Sequence, residues 1–230
     1  RTPNYEMFLV MQTSVHIIFV QTFCVYVYIL SHILLHYYAI MNMIIIDFSV
    51  IFEGLDESVA LLPRHDERRV KTQLILKARI GKIVTAHLSV FNGVTTVSSV
   101  YGLPLVYQVS FSSIAICLMA YQIAEKLDNG TVDILFCLLG IGSCLQLWIP
   151  CHVGTMIRNK AFEVGDAGWT CGWHETPLGL MIRSDIIIII LRAQQPVTIK
   201  FIGLPHVQLE TFSSCMSSSY SYFNMLRQYS

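Results

Sequence analysis

The sequence predicts an all-α membrane protein, a polytopic bundle with four transmembrane helices, and three observations carry that prediction. Hydrophobic residues make up 54% of the 230-residue chain and charged residues only 13%, whereas soluble domains carry roughly 25% charged residues. No Asp, Glu, Lys or Arg occurs between Glu6 and Asp47, between Lys82 and Glu125, or between Asp133 and Arg158. Each run exceeds the about 20 residues that a helix needs to cross the hydrocarbon core. The fourth span, about Val207 to Leu226, has spanning length but a more polar composition.

In chain order, residues 1–52 read as an outer segment and the first span, and 53–82 as a cytoplasmic loop. Residues 83–124 hold the second span. Gly102-Leu103-Pro104 reads as a turn, and the stretch before it is rich in Ser, Thr, Asn and His, so the crossing is expected after Pro104. Residues 125–133 read as an outer loop, 134–157 as the third span, 158–205 as a cytoplasmic region and 206–230 as the last span. Within 158–205, the run from Asp185 to Arg192 is too short to span. It reads as a short buried helix, with a strand as the alternative that its β-branched isoleucines favour. Gly203, Leu204 and Pro205 are expected to break the chain before the last span.

Charge sets the orientation. Arg64, Arg68, Arg69, Lys71, Lys77, Arg79 and Lys82 fall in the first long loop, and Arg158, Lys160, Arg183, Arg192 and Lys200 in the second. Only Arg1, Lys126 and Arg227 lie on the other side. Lys and Arg accumulate in cytoplasmic loops, so both rich loops are expected inside and both ends of this chain outside. The sequon Asn129-Gly130-Thr131 then falls in the outer loop, which makes Asn129 a candidate glycosylation site.

Several chemistries are excluded. No HExxH, GxSxG, GxxxxGK[ST] or GxGxxG occurs, so no enzymatic constellation is expected. Lys+Arg and Asp+Glu balance at 15 each, which gives no reason to expect a nucleic-acid partner, and membrane lipid is the expected surroundings. The seven cysteines show no CxxC and no zinc spacing. His32 and His36 sit i,i+4 on one face without a third ligand, so a packed pair is expected rather than a metal site. No cofactor is expected.

Two sets of residues remain as candidates. On a helix at about 100° per residue, Ser213, Ser217, Ser221, Asn224 and Gln228 share one narrow arc, with Met225 at its border. Phe212, Cys215, Tyr222, Phe223 and Leu226 lie on other faces. Lipid-facing polar groups cost several kcal/mol each, so such a stripe belongs to a pore-lining or bundle-interior helix. Phe19, Phe23 and Tyr26, in the outer half of the first span, either line a ligand pocket or pack in lipid and core.

The closing stretch Ser219 to Arg227, SYSYFNMLR, with Glu210-Thr211-Phe212 before it, resembles the C-terminal signature of insect odorant receptors. Arg192-Ala193-Gln194-Gln195-Pro196 resembles the motif preceding that family's last helix, and Trp173 the Trp of its cytoplasmic loop. Leu147-Trp148-x-x-Cys151 with Gly154 resembles the end of the sixth helix, and Pro3-Asn4-Tyr5-Glu6 with Gln12 the outer loop before the fourth. The segment DAGWTCGW, Asp166 to Trp173, and the five consecutive isoleucines depart from the pattern. The resemblance spans essentially the whole chain as the second outer loop and helices four to seven. The chain opens on Arg1 and reads as the later part of a seven-helix receptor of inverted topology.

The resemblance implies a tuning subunit in the plasma membrane, gated by a volatile small-molecule ligand. It also implies a cation channel assembled as a hetero-tetramer with a shared odorant co-receptor subunit. In that assembly the last helices of four subunits line the pore, and the cytoplasmic stretch of about Pro177 to Arg192 carries intersubunit contact. Two alternatives stay open: a truncated, non-signalling receptor product and a membrane transporter. A transporter would place paired ionisable residues inside its spans; the spans hold none except Glu210 and Arg227 near the ends of the last.

The orientation is testable. A glycan on Asn129, seen as glycosidase-sensitive mass and lost in Asn129→Gln, is expected. A cysteine introduced as Arg68→Cys should stay unlabelled by an impermeant thiol reagent on intact cells; its labelling would reverse the topology.

Overall fold

The computed structural model describes residues 3–195, 197–199 and 206–229. Among them are five α-helices: α1 (Pro3–Ser49), α2 (Glu67–Asp128), α3 (Ile134–Thr170), α4 (Arg183–Ala193) and α5 (Leu209–Tyr229). Two short 3-10 helices, Glu57–Leu61 and Pro177–Met181, lie in the connections, and no strand occurs among the described residues. The chain is an all-α protein, as its composition predicts. Three helices, α1 to α3, are long and apolar enough to cross a membrane. The polar stripe keeps α5 out of that group, although its 21 residues reach spanning length.

Two expectations are corrected. Gly102-Leu103-Pro104 does not turn the chain: α2 runs unbroken through all three residues. Proline lacks the N–H that would bond the carbonyl of Val100, but apolar helices tolerate such breaks when neighbours supply the missing partner. The stretch 53–82 is also mostly helix rather than loop, because α2 starts at Glu67. The isoleucine run is helical, within α4, with Ile186 and Ile189 buried. Length decides against β-branching there, since α4 finds an apolar surface for one face while Ile188 and Leu191 stay exposed. The predicted break at Gly203, Leu204 and Pro205 lies outside the described residues.

The chain forms two compact units. The first draws on Arg1–Ile33, Pro104–His152 and Gln208–Ser230, the second on Leu34–Leu103 and Val153–Val207. In the second unit, Leu34, Met41, Ile44 and Phe48 of α1 and Leu76, Ile80 and Ile83 of α2 are buried. The end of α1 is closed by a side chain from α2. Arg79 Nη1 donates to the carbonyls of Val50 (3.1 Å), Ile51 (2.7 Å) and Glu53 (2.9 Å), in the turn just beyond the last residue of α1. Lys82 pairs with Asp47 at 2.8 Å beside it. In the connection that follows, Asp56 caps the first 3-10 helix by accepting from the Ser58 amide at 2.9 Å and hydroxyl at 2.8 Å. The Ser58 hydroxyl, ahead of the amide, holds the Asp56 carboxyl below its ordinary range.

In the first unit, the α2–α3 connection closes by a Schellman motif. Thr131 N donates to Lys126 O and Gly130 N to Leu127 O, both at 2.9 Å, with Gly130 at φ +72° where only glycine is unstrained. Hydroxyls along the helices are turned inward: Thr22 donates to Ile18 O, Ser113 to Val109 O and Ser143 to Leu139 O. That pattern hides polar groups from hydrocarbon.

Close approaches in the second unit give a packing test. A side chain at Gly179 would overlap the Trp173 carbonyl, and one at Gly93 would overlap the Tyr37 ring. Backbone cannot swing aside as a ring can. Gly179→Ala should therefore cost about 1–3 kcal/mol, while the loss from Gly93→Ala should be largely recovered by adding Tyr37→Ala. Thermal unfolding of the detergent-solubilised protein reads both; an unperturbed Gly179→Ala melting point would contradict the packing.

Candidate functional site

Helix α5 is anchored by one face. Ser219 is buried at 3% exposure, and its hydroxyl donates to Ser113 O of α2 at 3.0 Å. Small residues on both sides let the backbones approach closely. Thr211 is buried on the same side, and Phe212, Cys215 and Phe223 are half-buried. At the far end, Arg227 Nη2 makes a forked pair with both carboxylate oxygens of Asp128, at 3.1 and 3.0 Å. Both side chains are exposed, so the pair adds little stability, but it fixes the register of α5 on the end of α2.

The opposite face is open. Ser213, Ser217, Ser221 and Gln228 are exposed, Asn224 is half-buried, and Met225 is 47% exposed. Apart from half-buried Asn224, the residues grouped by helical spacing thus fall on a side of α5 that the described residues leave uncovered. Tyr220 shares that side at 66% exposure, a residue the polar-stripe reasoning did not include.

A cavity of about 460 Å³ lies between α1 and α2 within the first unit. Phe23, Tyr26, Pro104, Tyr107, Gln108 and Phe111 line it. Phe23 and Tyr26 are therefore brought together, whereas the side chain of Phe19 lies outside the described residues. Tyr107, Gln108 and Phe111 were not anticipated. Their signal in the sequence was an aromatic pair at i,i+4 spacing one turn beyond an in-helix proline, which places both rings on one face.

In the second unit, a cavity of about 540 Å³ runs along α4, with Lys77, Val84, Leu88, Asp185, Ile188 and Arg192 on its walls. The Arg192 guanidinium sits 3.9 Å above the centre of the Phe91 ring, a half-buried cation–π contact between α4 and α2. Asn129 is exposed, and its amide donates to Glu125 O at 2.9 Å. All seven cysteines are free thiols, and no group of three metal-ligating side chains gathers among the described residues.

An all-helical chain with three apolar spans and a polar-faced terminal helix defines a polytopic membrane protein. The sequence profile of the 7tm odorant receptor family matches residues 2–220. The chain belongs to that family, the one its ordered motifs resemble. It is 27% identical to odorant receptor 67c of Drosophila melanogaster, over 57% of this chain and 31% of that protein. It is also 27% identical to odorant receptor 85f of Drosophila melanogaster, over 65% of this chain and 37% of that protein. Among solved structures, the insect olfactory receptor OR5 from Machilis hrabei in complex with eugenol superposes with a TM-score of 0.59 at 20% identity, over 83% of this chain and 46% of that one. A second structure of the same receptor superposes with a TM-score of 0.58 at 21% identity, over 71% of this chain and 44% of that one. The chain thus spans about a third of the curated relatives and under half of the solved receptor it matches.

Proposed function

We propose that the chain is an odorant receptor subunit that acts as an odorant-gated cation channel together with a shared co-receptor. The uncovered polar face of α5 is the observation that carries this reading. Polar groups at membrane depth need water or protein partners, and among the described residues this face is largely uncovered. Four such helices around an axis would give the stripe a water-filled path. Ser213, Ser217, Ser221, Asn224 and Gln228 then offer uncharged oxygens to passing cations, and Met225 forms a hydrophobic ring that gates by dewetting. The pocket side is the aromatic cavity at Phe23 and Tyr26, which takes the volatile ligand. The relative from Machilis hrabei binds eugenol, a small aromatic compound of the kind such walls accept.

The partner reading rests on α4. Ile188 and Leu191 are exposed on a helix whose other face is packed, and apolar surface of that kind marks contact sites. The stretch from Trp173 to Gln195 is the proposed co-receptor interface. The excess of Lys and Arg in the two long loops supports a cytoplasmic side for it, with Asn129 and both ends of the chain outside, in the plasma membrane.

Currents test the whole reading. In the complete receptor expressed with its co-receptor, Met225→Ser should raise basal current, and Gln228→Glu should raise permeability to divalent over monovalent cations. Phe23→Ala with Tyr26→Ala should shift the effective odorant concentration by about ten-fold or more, equivalent to 1.4 kcal/mol of lost contact. Strong odorant-evoked current without co-receptor would refute the partner requirement. Normally expressed Met225 and Gln228 variants with unchanged leak and permeability would refute the pore assignment.

A further inference from the structure

The polar stripe on α5 cannot by itself tell a cation from an anion. Ser213, Ser217 and Ser221 carry hydroxyls, and Asn224 and Gln228 carry amides, groups that donate hydrogen bonds as readily as they accept them. The backbone biases one end the wrong way. The first turn of an α-helix presents roughly half a positive charge, and four such ends around an axis would repel cations from that mouth. One ionisable side chain answers both points. Glu210 stands in the first turn of α5, and at about 100° per residue positions 210, 217, 221 and 228 share one direction to within about 20°. Its neighbours Leu209 and Thr211 are half-buried and buried, whereas Glu210 is exposed, as Ser213 and Ser217 are. Arg227, the other charged residue of α5, points about 100° away from Gln228 and forks onto Asp128. Glu210 is therefore the single charged group on the stripe.

We propose that the Glu210 carboxylate sets the charge selectivity of the proposed pore, as a fixed negative charge at the mouth formed by the first turns of α5. The inference rests on the reading of α5 as the pore helix, and it names the residue that makes such a pore prefer cations. Carboxylate and helix end together give each copy of this chain about minus half a charge at the mouth, and without the carboxylate the sign reverses. No coordinating site is needed for this. A fixed charge enriches mobile cations and depletes anions within a screening length, about 8 Å in physiological salt. On the proposed orientation the first turn of α5 faces the cytoplasm, so cations leaving the cell draw on the enriched layer and outward current depends on it most.

The test uses the complete receptor with its partner subunit, in membrane patches excised with the cytoplasmic face to the bath. Reversal potential in a KCl gradient and single-channel current are the readouts. Glu210→Gln should raise chloride permeability relative to potassium by about three-fold or more, since one unit charge across about 7 Å of water acts by about RT. Outward single-channel current should fall, and the loss should shrink at about 1 M salt, where the screening length drops to about 3 Å. Glu210→Cys separates charge from folding, because the same assembled channel can then be given either sign. A thiosulfonate reagent bearing a sulfonate should restore cation preference and outward current. One bearing a trimethylammonium should depress both further, each judged against the same reagent on the wild type with its native cysteines. Equal effects of the two reagents, or a wild-type permeability ratio in Glu210→Gln channels, would overturn the proposal. Ser217→Cys, midway along the stripe, tells the two readings apart. Modification there that alters current, while charge at position 210 has no effect, sinks this proposal alone; silence at both positions sinks the pore reading with it.

Discussion

Hydrocarbon offers no hydrogen bonds, and most of this fold can be read as a response to that single constraint. Every backbone amide and carbonyl in the three apolar helices must be bonded within the chain, which leaves helices as the only form for the runs from Glu6 to Asp47, Lys82 to Glu125 and Asp133 to Arg158. Hydroxyls within those helices donate back to the preceding turn, as Thr22, Ser113 and Ser143 do. The two prolines inside helices are the places where the rule is broken. At Pro150 the repair is visible: Gln108 crosses from α2 to bond the carbonyl that the proline leaves open.

Helix α5 responds to the same constraint in the opposite way. Its packed side carries buried Ser219 and Thr211, while its polar stripe is left uncovered by the rest of the chain. An exposed serine on a soluble protein needs no account. In a chain with this composition it does, because α2 and α3 of the same unit expose large apolar side chains such as Ile114 and Leu138. The stripe and that apolar surface call for different surroundings, and the proposed pore would give the stripe water.

Much of this was legible in the sequence. Uncharged runs located the apolar helices, and helical spacing grouped the stripe residues, because both depend only on composition and on the period of an α-helix. The reading failed where water-based intuition was applied to an apolar helix. Gly-Leu-Pro marks a turn in soluble proteins, where the freed carbonyl can be hydrated; in α2 the helix continues because a turn would expose several such groups instead of one. The charged start of α2 was read as loop on its composition alone, although Leu76, Ile80 and Ile83 recur at a helical period. Gln108 escaped notice for a related reason. A lone glutamine in an apolar run carries no periodic signal, and its significance depends on Pro150, 42 residues away in sequence but on the adjoining helix.

On the proposed reading, the ligand cavity and the pore face share one wall. Tyr107 and Phe111 of α2 line the cavity, and Ser113, two residues on, accepts the bond from Ser219 that anchors α5. A ligand that binds more tightly to one position of α2 than to another shifts the population toward that position by its differential affinity, and by no more. Contiguity alone does not supply such a difference. On that reading the rings of Tyr107 and Phe111 would have to supply it, through ligand contacts that change with the position of the helix on which α5 rests.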